Sequence, residues 1–215
     1  VVTIRLSRGT KRAVLEYGPA FVWPGLWAYS RFPEQLRWAA DFYGKIWGNL
    51  AAMYETWTEV DGYGETLTQA IGSIGINPKT ILDMGTGTGF VARKLKTVFL
   101  GASVVGTDIS NEMISVAEHL AMTEGLEIRF VQGDSEHLDL EDGSFDLVAL
   151  QNSLPFPDEI MRLVAPGGVA LFVVSLAGPW AQLGWPSLAE RFEQAGATET
   201  YGRRAGLGFF GIAKK

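Results

Sequence analysis

Cysteine is absent from the 215-residue chain, which excludes disulfides and thiolate metal sites and leaves the redox compartment open. Histidine occurs only twice, as His119 and His137, too few for a multi-histidine metal centre. Also missing is any apolar run of about eighteen residues, the length that reads as a membrane span. Arg5, Arg8, Lys11 and Arg12 precede the first acid, Glu16, without the apolar stretch and small-residue cleavage site of a secretory signal, so the expected setting is cytoplasmic. Positive charge is in short supply: 18 Lys and Arg face 24 Asp and Glu, for a formal net charge of −6. A long polyanion such as duplex nucleic acid is therefore not an expected partner, and the short basic run reads as a solvated terminus.

What is present is enough apolar material, 47% of residues, for one sizeable core with room for an appendage. No internal repeat or low-complexity tract occurs. Aromatic usage, however, is lopsided. Five of seven tryptophans (Trp23, Trp27, Trp38, Trp47, Trp57) and five of six tyrosines (Tyr17, Tyr29, Tyr43, Tyr54, Tyr63) fall before residue 64. With Pro19, Pro24 and Pro33 among them, the segment reads as short helices joined by turns, one starting after Pro33 and another near Gly64 to Ile74. The division expected is an aromatic-rich helical cover over residues 1–62 and a binding domain over residues 63–215. Whether the aromatics are core or cover stays open at this level.

From residue 79 short β-like runs alternate with amphipathic stretches. "TILDMG", "SVVGTD", "IRFVQGD", "FDLVALQ" and "GGVALFVV" read as strands; "VARKLKTVFL" and "SNEMISVAEHLAMTEG" read as helices, the second capped by Ser110 or Asn111 and stopped at Gly125. Such alternation predicts a doubly wound, mostly parallel α/β sheet. The tail differs: after the helical "PSLAERFEQAGA", "TETYGRR" and "LGFFGIAKK" are joined too tightly for a crossover, so the sheet should end in an antiparallel hairpin.

The stretch "ILDMGTGTGF" leaves the first strand and enters a helix, at the carboxyl edge where ligands of such sheets bind. A phosphate-gripping loop needs Lys-Ser/Thr after the last glycine, and none follows Gly89. The dinucleotide pattern fails because Phe90 stands where its third glycine belongs. Asp83, two residues before Gly85, is expected to project into the crevice, where it suits an ammonium or sulfonium better than a pyrophosphate. Asp108 ends the second strand, the place from which a carboxylate reaches ribose hydroxyls, and Asp134 ends the third. Acids at three successive strand ends fit a ligand with a cationic part, a ribose and an adenine, as in S-adenosylmethionine. Asp134, following Gly133, equally suits a turn.

With those motifs in place, the chain resembles the class I S-adenosylmethionine-dependent methyltransferases, especially a small-molecule branch that includes quinone-biosynthesis enzymes. "LDMGTGTG" is similar to the family's first motif and "VVGTDIS" to its second-strand acid. "GDSEHLDLEDGSFDLVAL" is similar to the third and fourth strands, and "LVAPGGVALFVV" to the lead-in of the fifth. The resemblance covers residues 80–175 well and the C-terminal hairpin loosely. It implies a seven-stranded Rossmann-like methyltransferase sheet and S-adenosylmethionine as cofactor. Asp83, Gly85, Thr86, Gly87 and Gly89 would surround the methionine part; Asp108 would take the ribose and Ile109 pack on the adenine. Asp134 and Ser135 would meet the adenine edge, and Gln151 would lie near the methyl. Tyr54, in "MYETW" with Trp57, resembles the family's closing tyrosine.

Methyl transfer from a sulfonium mainly requires alignment and exclusion of water; a general base is needed only for a nucleophile that carries a proton. His119 and His137 read as structural, which leaves Asn152, Ser153 and Tyr54 as polar orienters and no catalytic residue assigned. The proline-broken "LPFPDEI" predicts a shortened helix after the fourth strand, at a place where relatives build the substrate pocket. The expectation is an enzyme acting on a small molecule. Methylation of RNA or protein, and a non-catalytic cofactor-binding subunit, stand as alternatives.

Overall fold

A computed structural model describes residues 51–176 and 182–215. The helix expected after Pro33, the aromatics before residue 51 and the middle of "SLAGPWAQLGWPS" lie outside the described residues. Two short helices come first, α1 (Ala51–Thr58) and α2 (Glu65–Ile71). The alternating region follows with β1 (Thr80–Met84), α3 (Phe90–Val98), β2 (Ser103–Asp108), α4 (Asn111–Thr123), β3 (Arg129–Gln132) and β4 (Phe145–Gln151). After β4 come α5 (Pro157–Leu163), β5 (Val164–Val174), α6 (Trp185–Gln194), β6 (Glu199–Ala205) and β7 (Gly208–Lys214).

The strands form one seven-stranded sheet in the order β3-β2-β1-β4-β5-β7-β6. All pairings from β3 to β5 are parallel, while β7 runs antiparallel to both β5 and β6, which is the expected terminal hairpin. Strand order reverses between β1 and β4, so the carboxyl ends of these two strands flank the crevice where such sheets take ligands.

Residues two apart on a strand share a face, and the core divides accordingly. Leu82, Met84, Val148 and Leu150 pack with Ile160 and Leu163 of α5 and with Leu188 and Phe192 of α6. Ile81, Leu147 and Ala149 pack on the other face with Leu67 and Ala70 of α2 and Val91 and Leu95 of α3. Each fully buried leucine of this kind contributes about 1.5–3 kcal/mol, which makes the central strands the rigid platform of the molecule.

Helix ends follow local chemistry. Ser110 caps α4 by accepting from the Met113 N–H at 3.2 Å, and Gly125 takes a φ of 68° just past the helix end. The helix after β4 is short, seven residues with a proline in its first turn, as the broken "LPFPDEI" predicts. No helix among the described residues is long and apolar enough to cross a membrane.

Candidate functional site

The loop from Gly85 to Gly89 connects β1 to α3 at the reversal of strand order. Its three glycines all have positive φ, 69°, 54° and 82°. At Gly85 a Cβ would collide with Ser153 Oγ, so the loop approaches the β4 end as closely as backbone allows. At Gly87 a Cβ would meet, among the described residues, the Tyr54 ring 3.6 Å away, so the loop's crest lies beneath an aromatic from α1.

Two carboxylates hold this loop. Asp83 is fully buried: its Oδ2 accepts from Thr86 Oγ1 at 2.6 Å and from the Ala92 N–H at 2.9 Å, joining the loop to the first turn of α3. The expectation that Asp83 projects into the crevice is corrected here. It lies on the strand face that α3 covers and turns beneath the loop. Its Oδ1 has no hydrogen-bond partner among the described residues. Burial pushes its pKa up to about 7, against the pull of the Thr86 and Ala92 hydrogen bonds, and the nearby Asp108 adds to the rise.

Asp108 stays half-buried at the end of β2. Its Oδ2 accepts from the Gly87 N–H at 2.9 Å and its Oδ1 from the Ser110 N–H at 3.0 Å, and burial raises its pKa. Thr86 N–H donates to Thr107 O at 2.7 Å, so loop and second strand are stitched on both sides of the acid. Ile109 beside it is exposed. The Gly133 N–H donates to Asp108 O at 2.9 Å and brings the β3 end alongside. There Asp134 is exposed and forms a turn, its Oδ1 accepting from the Glu136 N–H at 2.9 Å, with Ser135 half-buried next to it.

A second polar cluster joins the β4 and β5 ends to the segment before β1. Gln151 is buried; its Nε2 donates to Ser175 Oγ at 2.8 Å, while its Oε1 lacks a partner in hydrogen-bond geometry among the described residues. Asn152 has a φ of 54°; its Oδ1 accepts from the Ser175 N–H at 2.9 Å and its Nδ2 donates to the Tyr63 hydroxyl at 3.1 Å. Ser175 Oγ in turn donates to Tyr63 O at 3.0 Å. The Tyr63 and Tyr54 hydroxyls are 2.9 Å apart. Tyr63 is buried with its ring edge-on to Phe90, the centroids 5.2 Å apart, and burial raises its pKa.

Sequence reasoning did not single out Tyr63 or Ser175 as site residues. Ser175 stands immediately past β5, as Asn152 stands past β4, so the strand-end rule carried one strand further would have found it. Nothing in the sequence marks Tyr63. Helix α1 is also tied down by charge: Arg93 of α3 pairs with Glu55 at 2.8 Å and with Glu124 past α4. Trp57, in the same helix, is half-buried. Both histidines are exposed, and no cluster of potential metal ligands occurs among the described residues.

Residues 81–168 match the model of a family described as a methyltransferase domain. Demethylmenaquinone methyltransferase of Thermus thermophilus is 42% identical over 98 residues, covering 42% of this chain and 44% of that protein. Ubiquinone biosynthesis O-methyltransferase of Nitrosococcus oceani is 35% identical over 113 residues, 49% of this chain and 47% of that one. The chain thus spans less than half the length of these curated relatives. Among solved structures, a SAM dependent methyltransferase from Aquifex aeolicus superposes with a TM-score of 0.64 at 19% identity, over 78% of this chain and 97% of the other. That likeness is one of fold.

Proposed function

From the premise that the chain belongs to the class I S-adenosylmethionine-dependent methyltransferases, we propose that it transfers a methyl group from S-adenosylmethionine to a small, partly apolar molecule. The observation that carries this reading is Asp108, a half-buried acid at the end of β2 already joined to the Gly87 N–H, beside the reversal of strand order. Its oxygens have lone pairs left for two vicinal hydroxyls, and charged hydrogen bonds of that kind contribute roughly 1.5–3 kcal/mol each. Ile109 would cover an adenine face, with Asp134 and Ser135 at its edge. Gly85, Thr86, Gly87 and Gly89 would line the methionine part, and Asp83 would act through the loop that it braces.

When bound, the cofactor supplies a methyl group already activated on a sulfonium. The chain's task is then to align the acceptor and keep water out; orientation alone can be worth up to roughly 7–11 kcal/mol. Tyr54, above Gly87, would cover the reacting end, and an aromatic face near a sulfonium gains roughly 0.5–2 kcal/mol. Gln151, buried at the β4 end, and Asn152 beside it would orient the incoming group. In the same reading residues 1–62 form the cover, of which α1 is a part, and residues 63–215 the cofactor-binding unit. The names of the quinone-related methyltransferases support a small-molecule acceptor over a macromolecule or a non-catalytic role. A cytoplasmic setting belongs to the same proposal, for cell fractionation to check.

Calorimetry tests the core of it. S-adenosylmethionine and S-adenosylhomocysteine should bind with micromolar or tighter affinity, and NAD not comparably. Binding of NAD without the methionine derivatives would overturn the reading.

A further inference from the structure

Tyr63 sits where three parts of the chain meet, two of them at its hydroxyl and the third at its backbone carbonyl. One neighbour is Tyr54, whose ring lies over Gly87. The second is Asn152, held in a left-handed turn past β4. The third is the β5 end, through Ser175, which donates from Oγ to Tyr63 O and from N–H to Asn152 Oδ1. This set of bonds has a direction. The Ser175 N–H can only donate, which makes the Asn152 oxygen its acceptor and leaves Asn152 Nδ2 to donate to Tyr63. The amide is therefore oriented by backbone, and Tyr63 is a phenol that takes a hydrogen bond from the rigid sheet while touching the cover.

The surroundings exclude a merely space-filling role. The ring alone would be satisfied by its edge contact with Phe90, and a buried phenol hydroxyl is costly without partners. Asn152 is a non-glycine residue at a φ of 54°, a strained conformation that persists only where the surroundings over-determine it. Its side-chain bonds to Ser175 and Tyr63, together with its own N–H donating to Val173 O at 3.0 Å, supply that determination. On the other side, Gln151 is locked by the same Ser175 hydroxyl, so the amide next to the reacting end shares its anchor with Tyr63.

We infer that Tyr63 is a positioning residue that couples the cover helix α1 to the floor formed by the β4 and β5 ends, so that Tyr54, Asn152 and Gln151 are set as one unit. The inference rests on the cofactor-binding reading above, because the unit faces the crest of the glycine loop where the methionine part would lie. Without the Tyr63 hydroxyl, Tyr54 loses its hydrogen bond to Tyr63, and Asn152 loses the side-chain bond that joins it to the same residue.

S-adenosylhomocysteine serves as the probe. In Tyr63→Phe, which keeps the ring, its affinity should fall about tenfold, the worth of one such hydrogen bond. Tyr54→Phe should give a similar fall, and the double variant no further one, since both remove the same link. Hydrogen exchange adds a readout that a space-filling role would not move: in the wild type the ligand should slow exchange of the α1 amides, and in Tyr63→Phe it should not. Asn152→Gly, which suits the left-handed backbone, cuts the link from the sheet side and should show the same tenfold fall and loss of α1 protection, which keeps the test available if Tyr63→Phe fails to fold. Affinities within twofold of wild type, losses that multiply in the double variant, or α1 protection surviving in the variants would overturn the inference alone. A wild type that does not bind the probe would overturn the cofactor reading and this inference with it.

Discussion

Asp83→Asn isolates the cost of keeping an acid beneath the glycine loop. Wild-type Asp83 is fully buried, with one oxygen held by Thr86 and Ala92 and the other unpartnered, and its pKa is pushed up from 3.8 to about 7. A carboxyl whose pKa is raised on folding binds its proton more tightly in the native state. Its stabilisation is therefore fully present below pH 3.8 and is lost as pH rises through about 7. Linkage across that interval amounts to about 4 kcal/mol, of which roughly 2–3 kcal/mol falls between pH 5 and pH 8. Asparagine preserves the acceptor for Thr86 and Ala92 but does not titrate. Buried donors replacing the unpartnered oxygen add a constant offset, so the slope is the quantity to compare. Urea unfolding at pH 5, 6, 7 and 8 should show the wild type losing stability faster than the variant by that amount. Asp108, whose pKa is raised mainly by burial, keeps that contribution in both proteins, while Glu159, Asp146 and Glu112 have lowered pKa values and act below this window. Parallel pH profiles for the two proteins would refute the reasoning and mean that Asp83 is ionised at an ordinary pH.

Two substitutions test the rest of the crevice. Asp108→Ala removes the acceptor shared by Gly87 and Ser110 and should weaken S-adenosylhomocysteine binding by roughly ten- to a hundredfold with the fold retained; unchanged affinity would place the ribose elsewhere. Gly87→Val puts a β-branched residue at a φ of 54° with its Cβ directed at the Tyr54 ring. Calorimetry should show cofactor binding abolished while the melting temperature falls by less than that of a core-cavity variant such as Leu82→Ala, and outright unfolding would mean that the glycine serves the turn alone.

Local pattern sufficed for much of the fold. Central strands such as "TILDM" and "FDLVALQ" are apolar on both faces because helices cover both, and a run of that kind is visible without any knowledge of its neighbours. The α4 cap at Ser110 and its stop at Gly125, the terminal hairpin and the shortened helix after β4 are likewise short-range chemistry. The glycine loop and Asp108 were legible for the same reason: both sit at strand ends, and strand ends can be counted along the chain.

The direction of a side chain at such an end is another matter. Asp83 turns under the loop because Thr86 and the first turn of α3 offer donors there, and only the docking of α3 on β1 determines that. Asn152 and Ser175 lie 89 and 112 positions along the chain from Tyr63. Tyr63 has no periodic or motif context, and its partners become neighbours only once β4 and β5 pair and the segment before β1 folds across their ends. By itself the sequence determined the sheet, the loop and the acid at the β2 end, because those depend on residues close together in the chain. The tertiary structure decided which amide and phenol groups converge on the loop, because hydrogen bonds between distant segments leave no local pattern to read.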